Sequence, residues 1–361
     1  MFLAWNEIKH SKLRYSLIVG VMFLIAYLVF FLTGLAYGLS QDYRMAIDKW
    51  QADGIILSEE SNVNLNMSML SVKSLDEVEA AEKAAFGQTA GIIKTGKENK
   101  EKVDISFFGI NKNEFLAPNI IEGRMFENER EAVADITLKN EDGVKLNDVV
   151  TLSGSDEKIK IVGFTENARY TVSPVLYVSI EDFQVIRFEK KVPADQARIN
   201  GIIVRGKEGD LDQVKVNSDD LSLYSIQTFI SELPGYNAQV LTFSFMIGFL
   251  IIIAAIVIGI FIYVLTLQKI SIFGVMKAQG ISSGYISSSV IMQTFLLAVI
   301  GVSLGLLGTV GTALVLPAAV PFQVNWLFFT GISGAMLVVA VLGALFSVRT
   351  IVKVDPLKAI G

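Results

Sequence analysis

The chain has 361 residues, 52% of them apolar, with 31 Lys/Arg, 36 Asp/Glu, one histidine and no cysteine. Its mean hydropathy is positive, which excludes an ordinary soluble protein of this size. The missing cysteines exclude a disulfide framework and thiolate metal sites, and the acidic balance argues against nucleic acid as a partner. The charges are segregated. Residues 41–235 hold 23 basic and 34 acidic residues, a net of −11, while 233–268 and 278–348 hold no charge at all.

Residues 1–14, with Trp5, Lys9, Lys12 and Arg14, read as a short amphipathic segment at the cytoplasmic membrane surface. From Tyr15 to Tyr37 there is no charge, so a first span is expected over 15–40. A cleaved signal peptide is the rival reading, but the apolar run far exceeds the usual h-region. The basic flank places the N-terminus inside and 41–235 outside.

The large hydrophilic segment reads as mixed α and β. Strands are expected at Gly54–Ser58, Val103–Ile110, Val149–Leu152, Lys158–Gly163 and Val175–Ser179, all rich in β-branched and large apolar residues. Ser74-Leu-Asp-Glu77 has the form of a capping box and predicts a short helix to about Ala84. A second, smaller unit is expected over 181–226, with a strand at Gly201–Arg205 and a helix near Asp210–Val216. Another helix is expected from Thr228, running past Pro234 into the membrane.

The second span is expected over 236–267, a cytoplasmic segment over 268–286, the third span over 287–316, an outer loop over 317–324 and the fourth span over 325–348. Residues 349–361 form a cytoplasmic tail with Arg349, Lys353 and Lys358. The fold class is therefore a membrane protein of four transmembrane helices, with a large α+β extracellular domain between the first and second. Gly301, Gly305, Gly308 and Gly311 give the third span a small-residue face for close helix contact. The loop between spans two and three holds Lys269 and Lys277 and no acid. It is too short for a core of its own, so Ile272, Val275 and Met276 are expected to seek a partner's groove.

Gly91-Ile-Ile-Lys-Thr-Gly96-Lys97-Glu98 imitates a phosphate loop, but Glu98 stands where a magnesium-binding hydroxyl belongs. Any ATPase is therefore a separate chain. His10 alone cannot build a triad or a multi-histidine metal site. The acids of 41–235 are scattered among lysines, and no nucleophile comes with a base. The spans carry no acid or base of the kind that couples ions to secondary transport. No catalytic residue and no intrinsic cofactor are expected.

This layout resembles the FtsX/MacB-like permeases of ABC transporters. Gly274-Val-Met-Lys-Ala-Gln-Gly280 resembles the family's cytoplasmic coupling segment, and Lys353-Val-Asp-Pro-Leu-Lys-Ala-Ile360 its C-terminal signature. In the outer domain, Glu122-Gly-Arg-Met-Phe126, Asn128-Glu129, Gly143-Val-Lys-Leu-Asn-Asp148 and Ile161-Val-Gly163 follow the order of the MacB-like core. Asn147-Asp148 departs from the family's Gly-Asp there. Within the family the chain is most similar to haem exporter permeases of the HrtB type, on its length, Glu7 to Tyr15 and Val264-Leu-Thr-Leu-Gln-Lys-Ile270.

The resemblance implies a homodimer in the membrane that binds two copies of an ABC ATPase through Ile272, Gly274, Val275, Met276, Lys277 and Gly280. ATP is bound by that partner. It also implies export of an amphiphile such as haem from the outer leaflet, past Phe30, Phe31, Tyr37, Tyr236, Phe243, Phe245 and Met246. Tyr170 would sit over the membrane mouth, and Tyr170 or Tyr236 would ligate the haem iron. Relatives of the same shape instead export antimicrobial peptides, extract lipoproteins or act as mechanotransmitters on an extracellular partner.

Overall fold

The computed structural model describes residues 12–95, 101–155, 157–317 and 320–352. Residues 1–11 of the amphipathic segment expected over 1–14, and the signature at 353–360, lie outside the described residues. The chain divides into two compact units, residues 1–38 with 240–361, and residues 39–239. Helix α1 (Lys12–Asp48) contributes to both.

In the hydrophilic unit, nine main strands follow α1. They are β1 (Gly54–Ser58), β2 (Glu82–Thr95), β3 (Glu101–Ile110), β4 (Glu131–Asp135), β5 (Val149–Leu152), β6 (Lys158–Thr165), β7 (Ser173–Ser179), β8 (Gly201–Arg205) and β9 (Leu221–Ser225). The pairings β2–β3, β3–β7, β7–β4, β4–β6, β6–β5 and β5–β2 close a ring of six strands. The first half of β2 pairs instead with β8, and β1 lies between β8 and β9. One strand of 14 residues thus belongs to both the ring and an open antiparallel sheet.

Short helices α2 (Thr137–Asn140), α3 (Ile180–Phe188) and α4 (Ile226–Ser231) complete this unit. Side chains alternate along the strands as the pleat requires. Ile105 and Phe107 of β3 fall in one apolar cluster, whereas Phe108 and Ile110 fall in another. That second cluster centres on Trp50, just past the end of α1. Its ring centroid lies 4.8 Å from Phe86, 6.1 Å from Phe108 and 6.4 Å from Phe229.

Four expectations are corrected. Residues 72–77 form a 3-10 turn capped by Ser71, whose Oγ accepts from the Lys73 N–H, and Glu82 already begins β2. The helix-favouring run Glu77–Ala84 is overridden by distant pairing, Val78–Glu79 lying against Lys215–Val216 and Glu82–Ala84 against Ile203–Arg205 of β8. Near 210–216 there is only one turn, Leu211–Gln213, followed by the extended pair Lys215–Val216. Residues 181–226 are no separate unit, since β8 and β9 complete the sheet that β1 begins. Finally, α4 stops at Ser231, and Pro234 with Gly235 (φ +83°) breaks the chain before the next helix.

The segment 122–131 is fixed by one carboxylate. Glu131 accepts from Arg124 Nη1 and Nη2 at 2.8 and 2.5 Å, from the N–H groups of Glu127 and Asn128, and from Asn128 Nδ2. The Arg124 guanidinium, helped by those N–H donors and opposed by burial, holds the Glu131 carboxyl well below its ordinary 4.5. A depressed acid contributes stability above the unfolded value, and that contribution is lost as pH falls through the depressed one. Glu131→Gln is expected to lower the Tm of this unit by about 2–4 °C at pH 7, the scale of one lost interaction in a domain of this size. The gap to wild type should close progressively below about pH 4.5, where the unfolded carboxyl also takes up its proton. A gap constant from pH 7 to pH 3 would rule this account out.

The membrane unit adds α5 (Tyr236–Gln268), α6 (Ile270–Ala278), α7 (Ser283–Ala313) and α8 (Trp326–Val352) to the first part of α1. Four of these helices are long and apolar enough to cross a membrane: α1, α5, α7 and α8. They share one core in which Tyr15, Ile18 and Met22 meet Ile258, Ile262, Leu265, Ile286, Val290, Leu297, Ala340 and Ala344. The small-residue face of α7 lies on α1. A Cβ built at Gly301 would stand 2.5 Å from Met22 Cβ, and one at Gly305 would stand 2.6 Å from Ala26 Cβ. Gly311, expected on the same face, has nothing within 4 Å. Lys269 and Lys277, in the connection between α5 and α7, are basic with no acid beside them and mark that side as cytoplasmic, so the hydrophilic unit is extracellular.

Candidate functional site

The first candidate site is the connection between α5 and α7. After Gln268 the chain turns once and forms α6, a helix of nine residues. It ends in a Schellman motif, in which the Gly280 N–H donates to Lys277 O at 2.9 Å and the Ile281 N–H to Met276 O at 3.0 Å. Gly280 has φ +88°, a conformation glycine adopts without a Cβ penalty. Ser282 then caps α7, its Oγ accepting from the Tyr285 N–H.

Helical spacing splits α6 into two faces. Phe273 and Gly274 are buried, and Phe273 joins the core of the bundle. Ile272 is 53% and Val275 43% exposed, three residues apart on the outward side. Met276 was expected on that outward face. It packs instead against the bundle core, because it falls on the Phe273 side of the helix. Lys277 is half-buried, and Gly280 is exposed.

Lys269 is the residue that sequence reasoning missed. It is 9% exposed, with Nζ donating to the Tyr15 hydroxyl at 2.8 Å and lying 5.5 Å from the Tyr15 ring centroid. The start of α1 is thereby tied to the start of α6. Ser287 Oγ and Gln293 Nε2 are buried nearby on α7 without a hydrogen-bond partner. A Tyr directly after a basic flank and a Lys directly after a span were the available signal. Both belong at the same depth of the same membrane face.

The second candidate is the aromatic set. Phe30 is fully buried against Phe329, with centroids 5.3 Å apart. Phe31 stacks between Tyr27 and Phe322, and Tyr37 meets Phe328 edge-on. Phe243 and Met246 are half-buried, whereas Phe245 is 64% exposed. Tyr236 is half-buried beside Tyr43, with centroids 6.0 Å apart and its hydroxyl 3.5 Å from Ser40 Oγ.

Tyr170 does not present its ring to a ligand. It is 3% exposed, edge-on to Phe108, and desolvation pushes its phenol well above the ordinary value. The ring closure of the sheet brings the short strand Arg169–Tyr170 against β7 and turns this side chain into the core. Phe30 is likewise corrected from a lining residue to a core residue. Among the described residues, no cluster of three His, Cys, Asp or Glu is placed to hold a metal ion.

Comparison with known proteins gives three results. Residues 244–356 match the family model described as FtsX-like permease C-terminal. Over 361 residues the chain is 27% identical to a Staphylococcus haemolyticus protein named "Putative hemin transport system permease protein HrtB", covering 100% of this chain and 99% of that one. Over 369 residues it is 21% identical to an uncharacterized ABC transporter permease of Mycobacterium tuberculosis, again covering 100% of this chain and 99% of that one. Among solved structures, the extracellular domain of the ABC-type transporter YknZ from Gram-positive bacteria matches at TM-score 0.32 and 12% identity, over 52% of this chain and 94% of that one. The periplasmic region of MacB from Actinobacillus actinomycetemcomitans matches at TM-score 0.35 and 11% identity, over 49% and 90%.

Proposed function

We propose that the chain, whose residues 244–356 match the FtsX-like permease C-terminal model, is an ABC permease that exports an amphiphile, haem above all, using the ATPase of a separate chain. The observation that carries this reading is α6. It is a helix locked at both ends, anchored through Phe273, that offers Ile272 and Val275 to a partner. Haem enters the proposal through the full-length relatives named for hemin transport.

Two copies of the chain form the membrane dimer. Only 17% of the most apolar stretch of α5 is buried within the chain, against 44% for α7, so lipid or a second copy must cover its face. Closure of the ATPases pushes on α6, and the helices transmit the movement to the extracellular unit as rigid bodies. No step of chemistry falls to this chain. Haem enters from the outer leaflet between α1 and α5, past Phe31, Tyr37, Phe243, Phe245 and Met246, with Tyr236 at the extracellular end.

Co-expression with its ABC ATPase and reconstitution in lipid test both halves. Haem is expected to stimulate ATP hydrolysis and to shift its own absorption band, the shift weakening in Tyr236→Ala. Ile272→Asp with Val275→Asp is expected to reduce the stimulation at least about tenfold, since buried apolar anchors dominate such contacts. Undiminished stimulation in that variant would remove α6 as the contact. Absence of both band shift and stimulation in the wild type would remove haem.

A further inference from the structure

The extracellular unit carries a groove of about 350 Å³ lined by Gln184, Phe188, Lys190, Val192, Gln196 and Arg198. Its chemistry is unlike the surface around it. The segment 41–235 has a net charge of −11, yet this groove is bordered by two cations, Lys190 and Arg198. Neither forms an ion pair among the described residues, whereas the adjacent Lys191 is held by Glu129. Glu189 and Asp195 flank the groove in sequence and do not line it.

The wall is built, not incidental. Gln184 is 2% exposed, and both ends of its amide are used on the Arg198 backbone, with Nε2 donating to the carbonyl at 2.7 Å and Oε1 accepting from the N–H at 3.0 Å. The Arg198 guanidinium is directed by a contact of Nη1 with Met69 Sδ at 3.5 Å. Phe188 is set by the edge of Phe183 and by the Arg187 guanidinium, 5.6 Å from its ring centroid. Two positive groups in one groove with the apolar side chains of Phe188 and Val192 match a flat apolar molecule bearing carboxylates.

We propose that this groove is an extracellular binding site for a flat, apolar dicarboxylate of the tetrapyrrole class. It rests on the export reading for its biological ligand and differs from the membrane path described above. Lys190 and Arg198 hold the carboxylates, and Phe188 and Val192 cover part of one face. A molecule released from the membrane would then be retained on the outside by a second, charge-selected contact.

The test titrates protoporphyrin IX, which has the carboxylates and no iron, against the full chain in lipid nanodiscs, with empty nanodiscs subtracted. Lys190→Glu with Arg198→Glu is expected to raise Kd at least about tenfold through loss of two charge-assisted contacts. Lys190→Arg with Arg198→Lys should keep binding within about threefold, because both positive charges remain. The side chains are exposed, so an unchanged Tm in the reversal variant separates lost binding from lost fold. Equal affinity in wild type and reversal variant would overturn the site, as would no binding by the wild type. Haem-stimulated ATP hydrolysis is read separately in the complex. If binding is lost in the reversal variant while haem never stimulates, the groove stands and the export of haem falls.

Discussion

Gly305→Leu is expected to prevent α1 and α7 from packing, with a fall in Tm. A Cβ at 305 would stand 2.6 Å from Ala26 Cβ, 2.8 Å from Tyr27 N and 3.1 Å from Ala26 C. Two of these atoms are backbone, so no side-chain rotation relieves the clash. The helices must separate, and overpacking of this kind costs about 1–3 kcal/mol before lost bonds are counted. Those bonds are Thr309 Oγ1 to Tyr27 O at 3.3 Å and Tyr27 OH to Thr312 Oγ1 at 3.0 Å. Gly311→Leu is the control, since nothing lies within 4 Å of that position. Leucine also favours a helix over glycine by about 0.8 kcal/mol, so the control should melt no lower than wild type. Equal melting of the two leucine variants would show that the small-residue face carries no packing.

Arg169→Ala is the second large effect. Arg169 Nη1 donates to Asp42 Oδ2 at 2.9 Å and Nη2 to Glu141 Oε1 at 2.7 Å. Asp42 lies in the buried last turns of α1, so removing the cation leaves a carboxylate with neither water nor counter-ion. Such a loss costs about 3–5 kcal/mol. The damage reaches the turn after Arg169, where Thr171 and Val172 hold φ values of +48° and +73°. Those are strained for β-branched residues. Their N–H groups donate to the Tyr43 and Asp42 carbonyls, both at 3.1 Å. Adding Asp42→Asn to Arg169→Ala should recover most of the lost Tm, because the buried charge is then gone. Arg44→Ala, which breaks the exposed i,i+4 pair with Asp48, should cost only about 0.3–0.5 kcal/mol. A double variant no more stable than Arg169→Ala would argue that the pair contributes packing and not charge.

Much of the architecture was legible because charge marks the membrane so sharply. Long runs without Lys, Arg, Asp or Glu gave the four spans, and β-branched runs bounded by glycine or polar residues gave β1, β5 and β8 at their observed ends. What stayed hidden depends on distant partners. Glu77–Ala84 has a helical composition, and only partners more than a hundred residues on, β8 and the pair Lys215–Val216, draw it into strands. Tyr170 reads as a loop aromatic until the sheet closes around it. Lys269 reads only as a cytoplasmic marker until Tyr15 is seen to meet its ammonium inside the bundle. The outward pair Ile272 and Val275 was legible, but Met276 required the faces of α6 to be assigned.

The order of the strands also sets a timetable for biogenesis. β1 leaves the membrane early in synthesis, yet both of its neighbours come late, with Gly54 opposite Val204 in β8 and Ser225 in β9. Until residue 205 has been translocated β1 has two open edges, and until residue 225 it keeps one, while long-range pairing of this kind is slow. A chain stopped near residue 199 should therefore aggregate at the membrane surface, not fold as a smaller domain. Secretion chaperones would have their longest task on this segment, between insertion of the first helix and arrival of the second.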